Sequence, residues 1–377
     1  MRQGARTTSI VLGAAIVAGV LGRSIELVLP VILDSAGRGL GLSNTGLGLF
    51  AGAELAGVTL CSLAAFRLGK WLAPGPTALF GALMLAATNL LTGYADTLLP
   101  IVLLRFAAGL LGEGALLVVA VSLLGSGRNA ARVYAAFMAL QMLFGAGALV
   151  GFGMADTAGG FTAVMQLAAA ICVGGVIAAV FLPWHQVIDG HDRTSAGGPG
   201  NAGMWMALAG MGIFHIGLAG AWAFMQQKAT SLGLDAATGG GILAVMMLSG
   251  LAGTLYVVLR GAPRGILTGT CIVYATAAIT GMSTGNPVIF TLAGIALMVA
   301  WNLSVPGQVA LLGVELKGAD HLALVPGFQG VGLAGGPVVA GLVSSPGQYA
   351  GLATLVFLAA GLSMFLFITA SRYADRS

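Results

Sequence analysis

The chain has 377 residues, of which 58% are hydrophobic and only 7% charged, with a formal net charge of +4, and its mean hydropathy is +0.98. A soluble domain carries roughly a quarter charged residues, so this composition excludes one and places the chain in a bilayer. Basic residues spread this thinly make no patch for nucleic acid, and Cys61, Cys172 and Cys271, each isolated in an apolar run, form neither a disulfide framework nor a zinc spacing.

A crossing needs about twenty apolar residues. The runs of that kind are Thr8–Leu33, Ser43–Phe66, Pro74–Gly93, Thr97–Leu124, Ala131–Gly153 and Gly160–Leu182. After a longer polar connection come Met204–Gln227, Thr238–Leu259, Gly265–Gly281, Pro287–Leu312, Leu322–Val343 and Tyr349–Ala370. The first run follows Arg2 and Arg6 but ends without an Ala-x-Ala site, so it reads as a retained helix, not a cleaved signal. None of the runs alternates polar and apolar residues as barrel strands do.

With both termini inside, the cytoplasmic segments hold Arg2, Arg6, Arg67, Lys70, Arg128, Arg132, Arg193, Arg260, Arg264, Lys317, Arg372 and Arg376. Only Arg38 and Lys228 fall outside, so the bias is twelve to two, and it supports an even count of crossings. The predicted organisation is an N-terminal six-helix bundle (1–182), a Gly/Ser/Pro-rich cytoplasmic connection (183–203) and a C-terminal six-helix bundle (204–377). The halves echo one another. Leu55-Ala56-Gly57 in the second run matches Leu251-Ala252-Gly253 in the eighth, and Gly145-x-Gly147-x3-Gly151 in the fifth matches Gly330-x-Gly332-x3-Gly336 in the eleventh. Six helices separate each pair, as a parallel duplication requires.

Two motifs carry a resemblance. After the second run, Ser62 and Phe66 precede Arg67-Leu68-Gly69-Lys70, and the fourth run holds Arg105-Phe106-Ala107-Ala108-Gly109. Together with the topology over nearly the whole length, they make the chain resemble the major facilitator superfamily. Ser62 and Phe66 stand where that family has Gly and Asp. Its antiporter Gly-Pro signature is missing from the fifth run, while a related Gly335-Gly336-Pro337 lies in the eleventh. The resemblance implies an all-α fold of two six-helix bundles, with the first, fourth, seventh and tenth helices lining a central cavity.

Ionisable side chains at membrane depth cost several kcal/mol unless paired or facing a cavity. Here they are Arg23 and Glu26 in the first run, Glu54 in the second, Arg105 and Glu113 in the fourth, and His215 in the seventh, a distribution that fits the implied cavity helices. Arg23 and Glu26, three apart, share a helix face. The functional reading is a substrate-binding Arg beside a proton-accepting Glu; the bland one is a structural ion pair. For Arg105 the alternatives are a cavity charge and a side chain snorkelling outward. Glu54 and Glu113 lie mid-helix, where a buried acid serves as a proton carrier or stays permanently neutral. Met204, Met211, His215, Trp222 and Gln226 fall on one stripe at about 100° per residue, read as a substrate contact, as packing, or as a soft-metal path for copper. Trp301, Asn302 and Gln308 flank Pro306 in the tenth run and are read as further substrate contacts.

The sequence has no Walker motif, no His-Glu-x-x-His and no Ser-His-Asp grouping. The expected protein is not an enzyme and uses no cofactor or resident metal. It is a monomeric, proton-coupled secondary transporter in a bacterial inner membrane, surrounded by lipid, moving a small organic anion by alternating access. The rival readings are a proton-coupled exporter of amphipathic cations, a copper or other metal transporter, and a non-transporting scaffold or receptor.

Overall fold

The computed structural model describes residues 2–68, 72–124, 130–185, 201–261, 265–316 and 324–374. The Gly69–Lys70 end of the motif after the second span and most of the long connection, 186–200, lie outside the described residues.

Helices follow the apolar runs because a backbone in hydrocarbon must satisfy its own N–H and C=O groups. The first span comprises α1 (Arg2–Leu21) and α2 (Ser24–Leu40), the second α3 (Asn44–Leu68) and the third α4 (Pro74–Thr92). The fourth runs through α5 (Leu98–Ala107), a π-helical turn (Ala108–Glu113) and α6 (Gly114–Leu124). Next come α7 (Ala130–Ile171) and α8 (Val173–Val180), then α9 (Ala202–Ala223) and α10 (Met225–Ser231), which together make the seventh span. The rest are α11 (Ala236–Arg260), α12 (Ile266–Ser283), α13 (Pro287–Ala310) with a π turn (Leu311–Glu315), α14 (Val325–Val343) and α15 (Ala350–Ala374).

Among the described residues eleven helices are long and apolar enough to cross a membrane, but one of them, Ala136–Val180, has 45 residues. At about 1.5 Å per residue it is about twice as long as a bilayer's hydrocarbon core is thick. It breaks at Gly159 (φ −155°, ψ 18°) and Gly160 (φ 62°, ψ −155°). Gly160 lies in the left-handed region, where a side chain is strained. This break divides the helix into the fifth and sixth spans, and the crossings among the described residues total twelve.

Three boundaries differ from expectation. The first span continues as helix to Leu40 and ends on Gly41 in the left-handed conformation (φ 64°), so Asp34 and Ser35 are buried helix residues, not an outer loop. Their polarity suggested a loop, yet both side chains find partners in other spans. Residues 154–158, read as part of a connection, continue the fifth helix up to its glycine break. The seventh span is interrupted at Phe224 (φ −104°, ψ 8°).

The repeated Gly57 and Gly253 do matching work in the two halves. A methyl on Gly57 would stand 2.6 Å from Leu110 N of the fourth span, and one on Gly253 would stand 2.6 Å from Val299 O of the tenth. Both positions let an even-numbered pair of helices touch through their backbones. The halves meet along α3 with α14 and α7 with α11, where Gly48 faces Pro337, Gly341 faces Asn44 and Gly153 faces Ala236. Outside the spans, Asp235 caps α11: the Thr238 N–H and hydroxyl both donate to its carboxylate and hold it below the usual carboxylate range.

Candidate functional site

The first span stops being helical at Gly22 and Arg23, part-way through the membrane. Arg23 (φ −131°, ψ 11°) starts a new helix whose third residue is Glu26. Its guanidinium forms a bidentate pair with that carboxylate, Nε donating to Oε2 at 3.0 Å and Nη2 to Oε1 at 3.1 Å. The side chains remain 28% and 13% exposed. From the second half, the Trp222 indole N–H donates to the Glu26 carbonyl at 3.1 Å. Arg23, Glu26 and Trp222 therefore meet where the two bundles join.

Arg105 lies elsewhere. It is fully buried inside the first bundle, where Nη1 stands 3.2 Å from Glu54 Oε1 and Nη2 donates to Asn89 Oδ1 at 2.7 Å. The guanidinium also lies 5.6 Å from the centre of the Phe50 ring. Arg105, read as a substrate contact, faces partners inside the first bundle in this conformation: a buried guanidinium is tolerated because a carboxylate and an amide surround it. Among the described residues both Glu54 oxygens, Arg105 Nε and Arg105 Nη1 lack a hydrogen-bond partner, so the pair is held by charge without an aligned hydrogen bond. Gly109 packs directly on the Glu54 carbonyl and brings the π turn of the fourth span against α3. At the end of that turn Glu113, also buried, accepts the Ile25 backbone N–H at 2.9 Å.

The residues expected from the second half are mostly engaged within it. His215 is buried and its Nδ1 lies 2.8 Å from the Met211 carbonyl. The stripe from Met204 to Gln226 is interrupted at Phe224. Gln226 therefore leaves the line of His215 and Trp222, and lies fully buried against Gly239, its Nε2 donating to Ala236 O at 3.4 Å. Asn302 donates to Met298 O at 2.9 Å, accepts from Thr254 Oγ1 at 3.4 Å and packs on Gly250, the counterpart of Glu54. Buried Gln308 accepts from Gln329 Nε2 at 3.2 Å. Trp301 is half-buried against the apolar core. Gln226 and Gln308, read as substrate contacts, are fully buried here with one amide atom each bonded inside the second half, while among the described residues Gln226 Oε1 and Gln308 Nε2 have no hydrogen-bond partner. Among the described residues no group of three or more His, Cys, Asp or Glu could hold a metal ion.

A second polar cluster went unrecognised in the sequence. At the face opposite the termini, Arg38 donates to Asp34 Oδ2 at 3.0 Å and also bridges to Asp156, whose other oxygen takes the Ser35 hydroxyl. Thr230 Oγ1 reaches across from the second half to Asp34 Oδ2 at 3.1 Å. Gln227 donates to Asn44 at 3.0 Å and Asn44 to Ser344 at 3.1 Å. These bonds hold the halves together at that end. A cavity of ≈ 290 Å³ opens beside them, lined by Asp34, Arg38, Gln227, Thr230, Ser231 and Tyr349 among others. The four-residue spacing of Asp34 and Arg38 was the available signal.

The two six-helix bundles, which meet at the broken first span, have the fold of solved membrane-transporter structures of the major facilitator type. Solved structures of that kind match nearly the whole chain. The nucleoside transporter NupG does so with a TM-score of 0.72 and 12% identity, over 98% of this chain and 99% of its own. A bacterial homologue of the human lysosomal transporter Spinster, inward-facing and unoccupied, gives 0.70 and 13%, over 98% and 96%. A D-xylose-proton symporter gives 0.72 and 12%, over 97% and 96%. At such identities the likeness is one of fold. No family model and no curated protein matches the sequence.

Proposed function

We propose that this protein is a proton-coupled secondary transporter of a small organic anion, working by alternating access between its two bundles. The observation that carries the proposal is the part-exposed Arg23–Glu26 pair at the break of the first span, tied to the second half through Trp222. In this pair Glu26 occupies the planar fork with which Arg23 would grip a substrate carboxylate. An incoming anion and Glu26 compete for one guanidinium. The displaced Glu26 takes up a proton, and proton and anion then travel together. Glu54, held against Arg105 without an aligned hydrogen bond, is the second proton site and lies wholly within the first bundle. Trp301, Asn302 and His215 contribute a mostly neutral wall from the second half.

The bias of the basic residues supports cytoplasmic termini. With the termini there, the face closed by Asp34, Arg38 and Thr230 is the outer one and the present conformation is inward-facing. A likeness to the inward-facing Spinster homologue supports that reading. The bundles span 1–182 and 204–377 with 183–203 between them, in the inner membrane of a bacterium and acting as a monomer.

The test is a thermal-shift screen of organic acids and amphipathic cations on detergent-purified protein, since a ligand of the folded state raises its melting temperature. Hits are then assayed for uptake into proteoliposomes under an imposed pH gradient. A carboxylate that shifts the parent but not Arg23→Gln, and accumulates only with the gradient, supports the proposal. Shifts by amphipathic cations alone would transfer it to a cation exporter, and a bound ligand that never crosses the membrane to a receptor.

A further inference from the structure

Breaking the first span exposes amides that a continuous helix would have satisfied. The helix restarts at Ser24, so the N–H groups of its first turn have no carbonyl four residues back. The first helical bond of α2 runs from Leu27 N to Arg23 O at 3.2 Å. Ser24 Oγ turns back to the Leu21 carbonyl at 2.8 Å, and Arg23 gives no side-chain cap. The acceptor for the Ile25 amide comes from the fourth span, as Glu113 Oε1 at 2.9 Å.

We infer that Glu113 is a positioning residue: its carboxylate clasps the restarted first span and so fixes where Arg23 and Glu26 present their charges. The inference rests on the Arg23–Glu26 site proposed above, and it gives Glu113 a role other than the proton carriage expected from its depth.

The surroundings of Glu113 support a fixed clasp. It stands between two glycines, each pressed against a neighbour. A methyl on Gly112 would lie 2.9 Å from Leu85 Cβ of the third span, and one on Gly114 would lie 2.9 Å from Cys61 Sγ of the second. On the first span a methyl on Gly22 would lie 2.7 Å from Leu117 N and 2.8 Å from Glu113 O. Three spans therefore hold the Glu113 backbone at touching distance. Glu113 is also the last residue of the π turn Ala108–Glu113. One extra residue in a turn rotates the rest of the helix by about 100°, so the wide turn sets the direction in which Glu113 points. The same turn rests through Gly109 on the backbone of Glu54, whose carboxylate pairs with Arg105. The fourth span thus touches both the proposed substrate pair and the proposed proton pair.

Three variants separate reach from charge. Glu113→Gln keeps an acceptor oxygen at the same reach without the charge. Glu113→Asp keeps the charge and withdraws it by one methylene, and Glu113→Met supplies neither. Hydrogen exchange of the peptide containing Ile25 and phenylglyoxal modification of Arg23 are read by mass spectrometry on protein that elutes as a single species. We expect parental behaviour from Glu113→Gln in both readouts. In Glu113→Asp and Glu113→Met, Ile25 should exchange about tenfold faster, as leaving a buried amide without its acceptor implies, and Arg23 reactivity should change with it. Glu113→Asp answers the question if Glu113→Met fails to fold. Parental exchange in Glu113→Asp, or fast exchange in Glu113→Gln, overturns the clasp. Parental Arg23 reactivity in a variant whose Ile25 exchange has risen overturns the positioning role. Neither readout involves transport, so an error in the anion site, seen as unchanged carboxylate binding in Arg23→Gln, is distinguishable from an error here.

Discussion

Trp222 donates its indole N–H to the backbone carbonyl of Glu26, and with that bond of 3.1 Å the second bundle holds the residue that neutralises Arg23. A charge pair whose geometry depends on contact between the halves changes its surroundings whenever the halves part. That is what coupling of a binding event to a rocking motion requires.

Removing this bond should loosen the closed end. Trp222→Phe keeps an aromatic ring and loses the donor, a change worth about 0.5–1.5 kcal/mol. The reporter is a single cysteine at Ala36, fully buried near that end, in a chain lacking Cys61, Cys172 and Cys271. Its labelling by an impermeant maleimide applied from that face should rise about two- to tenfold. An unchanged rate would show that the bond does not contribute to closure.

Wedging the helices apart should act more strongly. A methyl on Gly48 would press on Pro337 O and lie 3.1 Å from Val338 Cα, both on α14. Gly48→Val should therefore disfavour the closed end by about 1–3 kcal/mol and speed labelling of the same reporter. Gly147→Ala, with no atom within 4 Å of the added methyl, should leave the rate alone. Equal effects of the two substitutions would refute the packing argument.

Substrate binding should depend on the shape of the Arg23 head group. Arg23→Lys keeps the charge and loses the bidentate fork, so affinity for a carboxylate hit should fall about tenfold or more, and further in Arg23→Gln. If Arg23 serves only to neutralise Glu26, the single changes lower melting temperature instead, and the Arg23→Gln, Glu26→Gln double variant restores it. Isothermal titration alongside thermal melting separates the two outcomes.

The inner pair should behave as a unit. Arg105→Gln leaves Glu54 buried without its counter-charge, at a cost of about 3–5 kcal/mol, and should lower the melting temperature. Adding Glu54→Gln should recover much of the loss. Glu54→Gln alone should abolish accumulation driven by a pH gradient and preserve substrate exchange, which needs no net proton movement. Normal accumulation in that variant would leave Glu26 as the sole proton site.

The fold could be read from the chain because span length and loop charge are properties of contiguous segments. The Arg23–Glu26 pair was legible for the same reason: three residues of spacing suffice to predict it. The partners of Arg105 were not, because Glu54 and Asn89 come from other spans. Nor was Asp156, whose partners Ser35 and Arg38 lie more than a hundred residues away. The break at Phe224 falls in Ala223-Phe224-Met225, without the glycine or proline that usually announces one. A stripe drawn at constant angle therefore runs through it, whereas Gln226 packs beyond the break against Gly239.

The break at Gly159 and Gly160 has a consequence for the face opposite the termini. On the face opposite the termini the helices are joined by residues 41–43, 93–97, 159–160, 232–235, 284–286 and 344–349, none longer than six residues. Proteases cut where backbone can be drawn out into an extended strand, and stubs of this length anchored between helices give them little to seize. Digestion from that side should leave the chain whole. An antibody raised against that face would have to recognise a mosaic of several turns, one that disperses whenever the two bundles swing apart.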